Sequence, residues 1–360
     1  MSSERKFIIL DDYEEAASKV IPEMAWDYYR SGSDDENTLK ANRKAFEHYE
    51  LWPRVLIDVS NVDLSATILG TKVSMPVLVA PTAYHKMAHP DGEVATAQGA
   101  AMAGTIMNVS TLATTSLEDV ARASDGPKWF QLYVHSDRGL TKALIERAER
   151  SGYLAIVITV DAPVLGRRVI DERNSFALPE GMRMENIAAA VDDLESSSGS
   201  ALANLVAARH DASFTWADLE WVRSITSLPI VIKGVVRPDD ASLAVRNGAS
   251  GLVVSNHGGR QLDGTVASID ALGPVRDSVE DSIAVLVDGG IRRGTDVLKA
   301  LALGADAVQV GRPIIWGLST GGTQGVAGVL ELLRGELITA MKLSGCPDIK
   351  SIDASLVMRR

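Results

Sequence analysis

What most constrains this chain is a repeated alternation. From Met75 onward, short apolar runs recur at spacings of mostly about 20–29 residues, each followed by turn residues and a helix-like stretch. The runs are VLVAP (77–81), IMNVS (106–110), WFQLY (129–133), LAIVITV (154–160), PIVIK (229–233), GLVVS (251–255), AVLVD (284–288) and AVQVG (307–311). They lack strict apolar/polar alternation, which is how strands read when both faces of a parallel sheet are buried. Helical patterns such as GEVATAQGAAMAG, LTKALIERAERSG and GTDVLKALALGA lie between them. Repeating the β–α unit to this extent favours an α/β fold closed as a (β/α)8 TIM barrel, with an open sheet carrying extra edge strands as the alternative.

Residues 1–50 read as polar and helical. Pro22 opens the segment EMAWDYYRSG, which stops at Gly32, and Asp34 or Asp35 is placed to cap the next helix. This stretch is too short for its own core and should pack on the barrel. The expected organisation is one domain over 1–360: an N-terminal helical and hairpin preface (1–74), the barrel (75–345), a long insertion after strand 4 (161–228) and a C-terminal tail (346–360). The insertion contains the Ser-rich stretch DDLESSSGSALANLVAARHDAS and reads either as a mobile cover over the active face or as a plain surface excursion.

Charge and cysteine content exclude several function classes. With 36 Lys+Arg against 47 Asp+Glu, the formal charge of −11 argues against a general nucleic-acid binder. The single Cys346 excludes an intrachain disulfide framework and a cysteine-rich metal site. His48, His85, His89, His135 and His210 form no spaced ligand set, so they read as surface or packing histidines and no metal is expected. No run approaches the roughly 20 apolar residues of a membrane span, and the start lacks a signal peptide's apolar stretch. A soluble, cytoplasmic protein is the expectation.

In a barrel of this class, chemistry sits at the C-terminal ends of the strands. Those ends carry Pro81-Thr82-Ala83, Ser110, Gln131, Tyr133, Thr159, Asp161, Lys233, Ser255-Asn256-His257, Asp288 and Gly311-Arg312. Polar residues converging from so many strands on one rim point to a site. DGGIRRG (288–294) and VGRP (310–313) place glycine and arginine after the last two strands, where barrels commonly bind phosphate; Arg292 and Arg312 can pair with its oxygens. Lys233 is open to three readings: Schiff base, cofactor contact, or a lysine reaching solvent. In SNHGGRQLDG (255–264), His257 and Arg260 combine a base with a bidentate cation, as proton abstraction beside a carboxylate requires. Asp161 could orient the His257 imidazole and Arg168 offers a second anion contact; the bland alternative is a structural His–Asp pair with rim arginines.

SNHGGRQLD, DGGIRRGTDVLKALALGADAVQVGRP and TVDAPVLGRR strongly resemble the FMN-dependent L-2-hydroxy acid oxidases, a family that includes glycolate oxidase, lactate oxidase and mandelate dehydrogenase. The resemblance runs from about Asp12 to Cys346 and includes YYRSGS and MPVLVAPTAYHKMAHPDGE. It implies the same barrel and FMN as cofactor. It implies that Thr82 and Ala83 line the flavin, that Ser110, Gln131 and Thr159 bond its ring, and that Lys233 and Ser255 contact it. Asp288, Gly290, Arg292, Gly311 and Arg312 would hold the ribityl and phosphate groups. Tyr28, Arg168 and Arg260 would grip the substrate carboxylate and Tyr133 its hydroxyl. His257, paired with Asp161, would take the α-proton or the hydroxyl proton.

Two positions bear on specificity. Leu112 stands where many glycolate oxidases have Trp, so the pocket should admit a side chain larger than hydrogen. Tyr84 stands where plant glycolate oxidases have Met and where mandelate-oxidising relatives can carry Tyr. The resemblance thus implies oxidation of lactate or a larger L-2-hydroxy acid by O2, giving the keto acid and H2O2, with Ala83 favouring O2 as acceptor. A mandelate-type aryl substrate or a non-O2 acceptor is the alternative, and a Schiff-base aldolase or a degenerate flavin-binding protein are the rivals outside this chemistry. No membrane or nucleic-acid partner is expected; a homo-oligomer, tetrameric by resemblance, is. The chain ends LVMRR rather than SKL, so a peroxisomal address is not expected.

Overall fold

The computed structural model describes residues 7–188 and 210–360. The apolar runs become the parallel strands β1 (Val77–Val79), β2 (Met107–Ser110), β3 (Lys128–Leu132), β4 (Ile156–Thr159), β5 (Ile230–Val235), β6 (Gly251–Val254), β7 (Ala284–Asp288) and β8 (Ala307–Val310). They form a closed barrel, with β8 pairing back onto β1 through Val308↔Val77 and Val310↔Val79. The expected barrel, not the open sheet, is what the chain forms.

Two apolar clusters explain why the strands read as unbroken runs. Leu78, Ile106, Trp129, Val157, Val231, Val253, Leu286 and Ala307 meet in one cluster, inside the barrel. Their strand neighbours, among them Val77, Val79, Met107, Phe130, Ile156 and Ile158, join the second, under the helices. The short antiparallel hairpin Ala66–Ile68 with Thr71–Val73 adds Ile68 and Val73 to the inner cluster, which plugs the end of the barrel opposite the polar rim. Positive φ at both Leu69 and Gly70 is the backbone twist that a tight hairpin turn requires.

The preface folds as α1 (Leu10–Val20), α2 (Glu23–Arg30) and α3 (Asn37–Lys44). α1 packs against the long final helix, Arg312–Ser344, which is interrupted at Gly321 and Gly322. Neither Asp34 nor Asp35 caps α3, contrary to the sequence reading. Glu36, in a left-handed conformation, occupies that position, and the free N–H of Thr38 donates instead to the Asp263 carboxylate at 2.7 Å. The cap is supplied from across the fold, by the loop that carries His257. At the far end, Val357–Arg359 pairs antiparallel with Tyr49–Leu51, so the tail is stitched to the preface. Of the 161–228 insertion, the polar core at 189–209 lies outside the described residues, and so does the reading of it as a cover.

Candidate active site

The upper layer of the barrel interior is polar, and its side chains bond to one another from strand to strand. Ser110 Oγ donates to Gln131 Oε1 at 3.2 Å, and Gln131 Nε2 donates to Thr159 Oγ1 at 3.0 Å. On the opposite arc, Lys233 Nζ reaches Ser255 Oγ and Asp288 Oδ2, each at 2.9 Å, while Ser255 Oγ donates to Asp288 Oδ1 at 2.6 Å. Burial works against the Lys233 ammonium, but the Asp288 and Asp161 carboxylates outweigh it and hold its pKa above the ordinary value. Lys233 is therefore a fixed cation under the rim.

The chemistry-bearing pair spans β4 and β6. His257 Nδ1 lies 2.8 Å from Asp161 Oδ1, and because a carboxylate only accepts, Nδ1 carries the proton and Nε2 is the nitrogen left to act. Burial pushes the Asp161 pKa up, yet the His257 ring and then Lys233 bring it below the usual value of 3.8. Asp161 fits there because its neighbour is Gly234, at φ +109 on a bulge in β5; a Cβ on Gly234 would sit 2.6 Å from the Asp161 side chain. His257 itself has φ +59, a left-handed backbone that is uncommon outside glycine. It is held by its own N–H, which donates to Ser255 Oγ at 3.0 Å, and by Asn256, whose side chain accepts from Gly259 N at 3.1 Å.

Two cations flank this pair. The Arg260 guanidinium lies 4.7 Å from the Tyr28 ring centroid, and Nη1 donates to the carbonyls of Tyr28 and Ser31 at 2.5 and 2.9 Å. Arg168 approaches the same ring at 5.8 Å and faces Asp171 at 3.6 Å. Arg260 Nη2 and Arg168 Nε are buried without a partner among the described residues. Burial, followed by repulsion from Arg168, depresses the Arg260 pKa. Two buried guanidinium groups thus share the single Asp171 carboxylate, and each keeps an N–H without a partner among the described residues, which is the condition of an anion site.

A second cationic centre forms after β7 and β8. Burial and then Arg43 push the Arg292 pKa down to about 10; its guanidinium packs over Trp316 and its Nε is buried without a partner among the described residues. Burial, then Arg260 and Arg292, push Arg312 down to about 9. Arg312 donates to the carbonyls of Tyr29, Gly258 and Ser31 at 2.9, 3.0 and 2.9 Å, tying α2 to the His257 loop. Gly290, read from sequence as part of a phosphate site, lines the cavity and also has a close neighbour on its other side. A Cβ there would fall 1.9 Å from the Asn42 carbonyl, so this glycine lets α3 pack onto the loop after β7.

These groups surround one cavity of about 330 Å³. Of the residues singled out in the sequence, Tyr28, Thr82, Ala83, Tyr84, Ser110, Leu112, Gln131, Tyr133, Thr159, Arg168, Lys233, His257, Arg260, Asp288, Gly290, Arg292, Gly311 and Arg312 line it. Asp161 stands behind His257. Ser255, expected against the cofactor, is buried beneath the wall and instead orders Lys233, Asp288 and His257. Burial raises the Tyr133 pKa, so its hydroxyl is a neutral donor.

Sequence reasoning missed several wall residues. Phe176, from the insertion, stacks on Tyr28 at 4.5 Å, and Leu165 and Gln309 also line the cavity. Gln309, the penultimate residue of β8, has both amide atoms buried and unpartnered among the described residues. His210, read as a surface or packing histidine, lines the cavity and stacks on Tyr133 at 4.3 Å. The reciprocal amide pair Asn42–Asn256, at 2.8 and 2.7 Å, locks the preface to the His257 loop. No local pattern announces such a pair, because its members lie more than two hundred positions apart.

Among the described residues, no helix is long and apolar enough to cross a membrane. Comparison with known proteins places the chain in context. The family model described as FMN-dependent dehydrogenase matches residues 17–359. L-lactate oxidase from Nostoc sp. is 50% identical over 356 residues, covering 97% of this chain and 98% of that protein. 2-Hydroxyacid oxidase 1 from Homo sapiens is 50% identical over 359 residues, covering 98% and 97%. Glycolate oxidase 1 from Zea mays is 50% identical over 342 residues, covering 95% and 93%. Among solved structures, a mandelate oxidase with (S)-4-hydroxymandelic acid superposes with a TM-score of 0.93 at 44% identity, covering 98% of each chain.

Proposed function

This chain belongs to the FMN-dependent dehydrogenase family, and on that premise we propose that it oxidises L-2-hydroxy acids, lactate or larger in preference to glycolate, to 2-keto acids with reduction of O2 to H2O2. The observation that carries the reading is the Asp161–His257 pair opening on a cavity beside two guanidinium groups with unpartnered N–H donors. Converting R–CHOH–COO⁻ to R–CO–COO⁻ removes two electrons and two protons, and O2 takes up both on becoming H2O2.

The residues present fit FMN. An anionic phosphate answers the missing counter-charge at Arg292 and Arg312, and a ring rich in acceptors and donors answers the orphaned Gln309 amide and the polar rim. Gly290, Gly311, Arg292 and Arg312 would hold the phosphate end. Thr82, Ala83, Ser110, Gln131, Thr159 and Lys233 would hold the ring, with Ser255 and Asp288 fixing Lys233 from behind. Bound FMN supplies the two-electron acceptor.

The protein's own groups do the rest. Arg168 and Arg260 clamp the substrate carboxylate bidentately, with Tyr28 packed under both. Tyr133 donates to the substrate hydroxyl. His257 Nε2 takes a proton from the substrate, and the Asp161 carboxylate stabilises the imidazolium that results. Burial of the site keeps bulk water from competing for these bonds.

Side-chain preference rests on the wall. Leu112 is aliphatic and half-buried, which leaves space beside the α-carbon that an indole would fill. The aromatic group formed by Tyr28, Tyr84 and Phe176 gives an aryl substrate of the mandelate type a second claim. The test is anaerobic mixing with glycolate, L-lactate and (S)-mandelate, followed by peroxide counting against keto acid in air. We expect flavin bleaching with lactate or mandelate ahead of glycolate, and one peroxide per keto acid. Faster bleaching by glycolate would sink the side-chain preference, and keto acid without peroxide would replace O2 by another acceptor.

A further inference from the structure

Tyr133 stands between two cavities. Behind the catalytic cavity lies a second one of about 390 Å³, bounded by Val134, Val160, Phe214, Trp216 and Ile232. Tyr133, Thr159, Ala162 and His210 belong to the walls of both. A phenol with open apolar volume at its back lacks the packing that normally fixes a ring. Among the described residues, the only ring stacked on Tyr133 is that of His210, with centroids 4.3 Å apart and planes 18° from parallel.

His210 is itself held firmly. Its Nδ1 donates to the Ala162 carbonyl at 3.2 Å, and its backbone bridges that of His135. The next residue, Asp211, donates its N–H to the Val134 carbonyl at 2.8 Å, and its buried carboxylate pairs with Arg138 at 2.6 Å. Arg138 in turn lies over the rings of Phe214 and Trp221, at 5.4 and 4.8 Å. The arm returning from the insertion is thus clamped to β3 and to the helix after it, and it delivers one imidazole against one phenol. Burial, with a smaller contribution from His257, lowers the His210 pKa, so this ring is neutral and adds no further cation beside Arg168 and Arg260.

We propose that His210 is the positioning residue for Tyr133: by stacking on the phenol it keeps the ring out of the second cavity and its hydroxyl toward the substrate hydroxyl. This rests on the reading above that Tyr133 bonds the substrate hydroxyl. His210 touches neither reacting atom; it acts through the ring plane of its neighbour.

The test is a double-mutant cycle on the FMN-loaded enzyme, read as the anaerobic flavin-reduction rate constant together with the Kd for propionate, an unreactive carboxylate for the arginine clamp that lacks the α-oxygen Tyr133 addresses. Tyr133→Phe should slow reduction about tenfold, the scale of one lost hydrogen bond. His210→Ala and His210→Leu, which remove the stack with and without loss of volume, should each slow it by about three- to tenfold. His210→Phe restores a stacked ring and should stay within about twofold of wild type, and propionate affinity should be unchanged throughout. In the Tyr133→Phe background, His210→Ala should cause no further slowing, because the hydroxyl it positions is gone. Additive slowing in that background, or wild-type reduction by His210→Leu, overturns the positioning role even if His210→Ala fails to fold. Wild-type reduction by Tyr133→Phe would instead overturn the role of Tyr133 on which this inference rests.

Discussion

His257 occupies a left-handed backbone that costs about 1–2 kcal/mol for a residue with a side chain, and its environment supplies the compensation. Ser255 and Asp161 each hold it by a hydrogen bond, and Asn256 pins the turn that follows by accepting from Gly259 N, so the strain is confined to this residue and its turn. We expect His257→Gln to retain FMN but lose flavin reduction by at least about 10²-fold, the usual range for a general base; near-normal reduction in stopped flow would refute the assignment. At the wall, Leu112→Trp should shift kcat/KM toward glycolate, and an unchanged substrate ranking would show that Leu112 does not limit the pocket. Asp161 sets an acid limit. Its folded-state pKa lies below the ordinary 3.8, so its stabilisation is complete above that value and is lost as the pH falls through the lower folded value. The difference in urea midpoint between wild type and Asp161→Asn should therefore persist at pH 5, and a difference that vanished there would contradict the depressed pKa.

At the scale of elements, the barrel strands were readable because each is buried on both faces, so their composition alone marks them. Their polar ends were readable too, since Gln131, Lys233 and Asp288 follow apolar residues that have no need of them. The contacts that complete the site were not. The C-terminal carbonyls of α2 accept from Arg260 and Arg312, residues from β6 and β8 loops, and the cap of α3 comes from Asp263. Such bonds depend on where distant segments meet, and the local sequence around Asp34 and Asp35 suggested a cap that the fold does not use. His210 was passed over for the same reason: a lone histidine beside an aspartate carries no mark of the phenol it will stack on. Arg312→Lys tests the α2 clasp. One ammonium cannot reach three carbonyls in the fork geometry of a guanidinium, so Tm should fall and FMN should dissociate more readily, by about 1–3 kcal/mol together. An unchanged Tm with weaker FMN would limit Arg312 to the cofactor.

For the whole molecule, the −11 formal charge opposes an anionic substrate, while Arg168, Arg260, Arg292, Arg312 and Lys233 gather positive charge at the mouth of the barrel. The body repels at long range and the pocket attracts only at contact. Raising ionic strength from about 0.01 to 0.15 M shortens the Debye length from about 30 to 8 Å, which screens the first effect more than the second. We expect kcat/KM for the hydroxy acid to hold steady or rise over that range; a steep fall would mean that the pocket's field reaches out past the acidic surface.

The clasp between Arg312 and α2 also has a consequence in time. The carbonyls of Tyr29 and Ser31 accept from a guanidinium that is synthesised some 280 residues after them, and β8, which closes the cylinder onto β1, comes just before it. A growing chain therefore holds α2 without its seat until some 280 further residues have been made. Contacts this distant in sequence form late and slowly. The seat of α2 is then among the last parts of the rim to assemble, and the face that Tyr28 offers to Arg260 is fixed only with it.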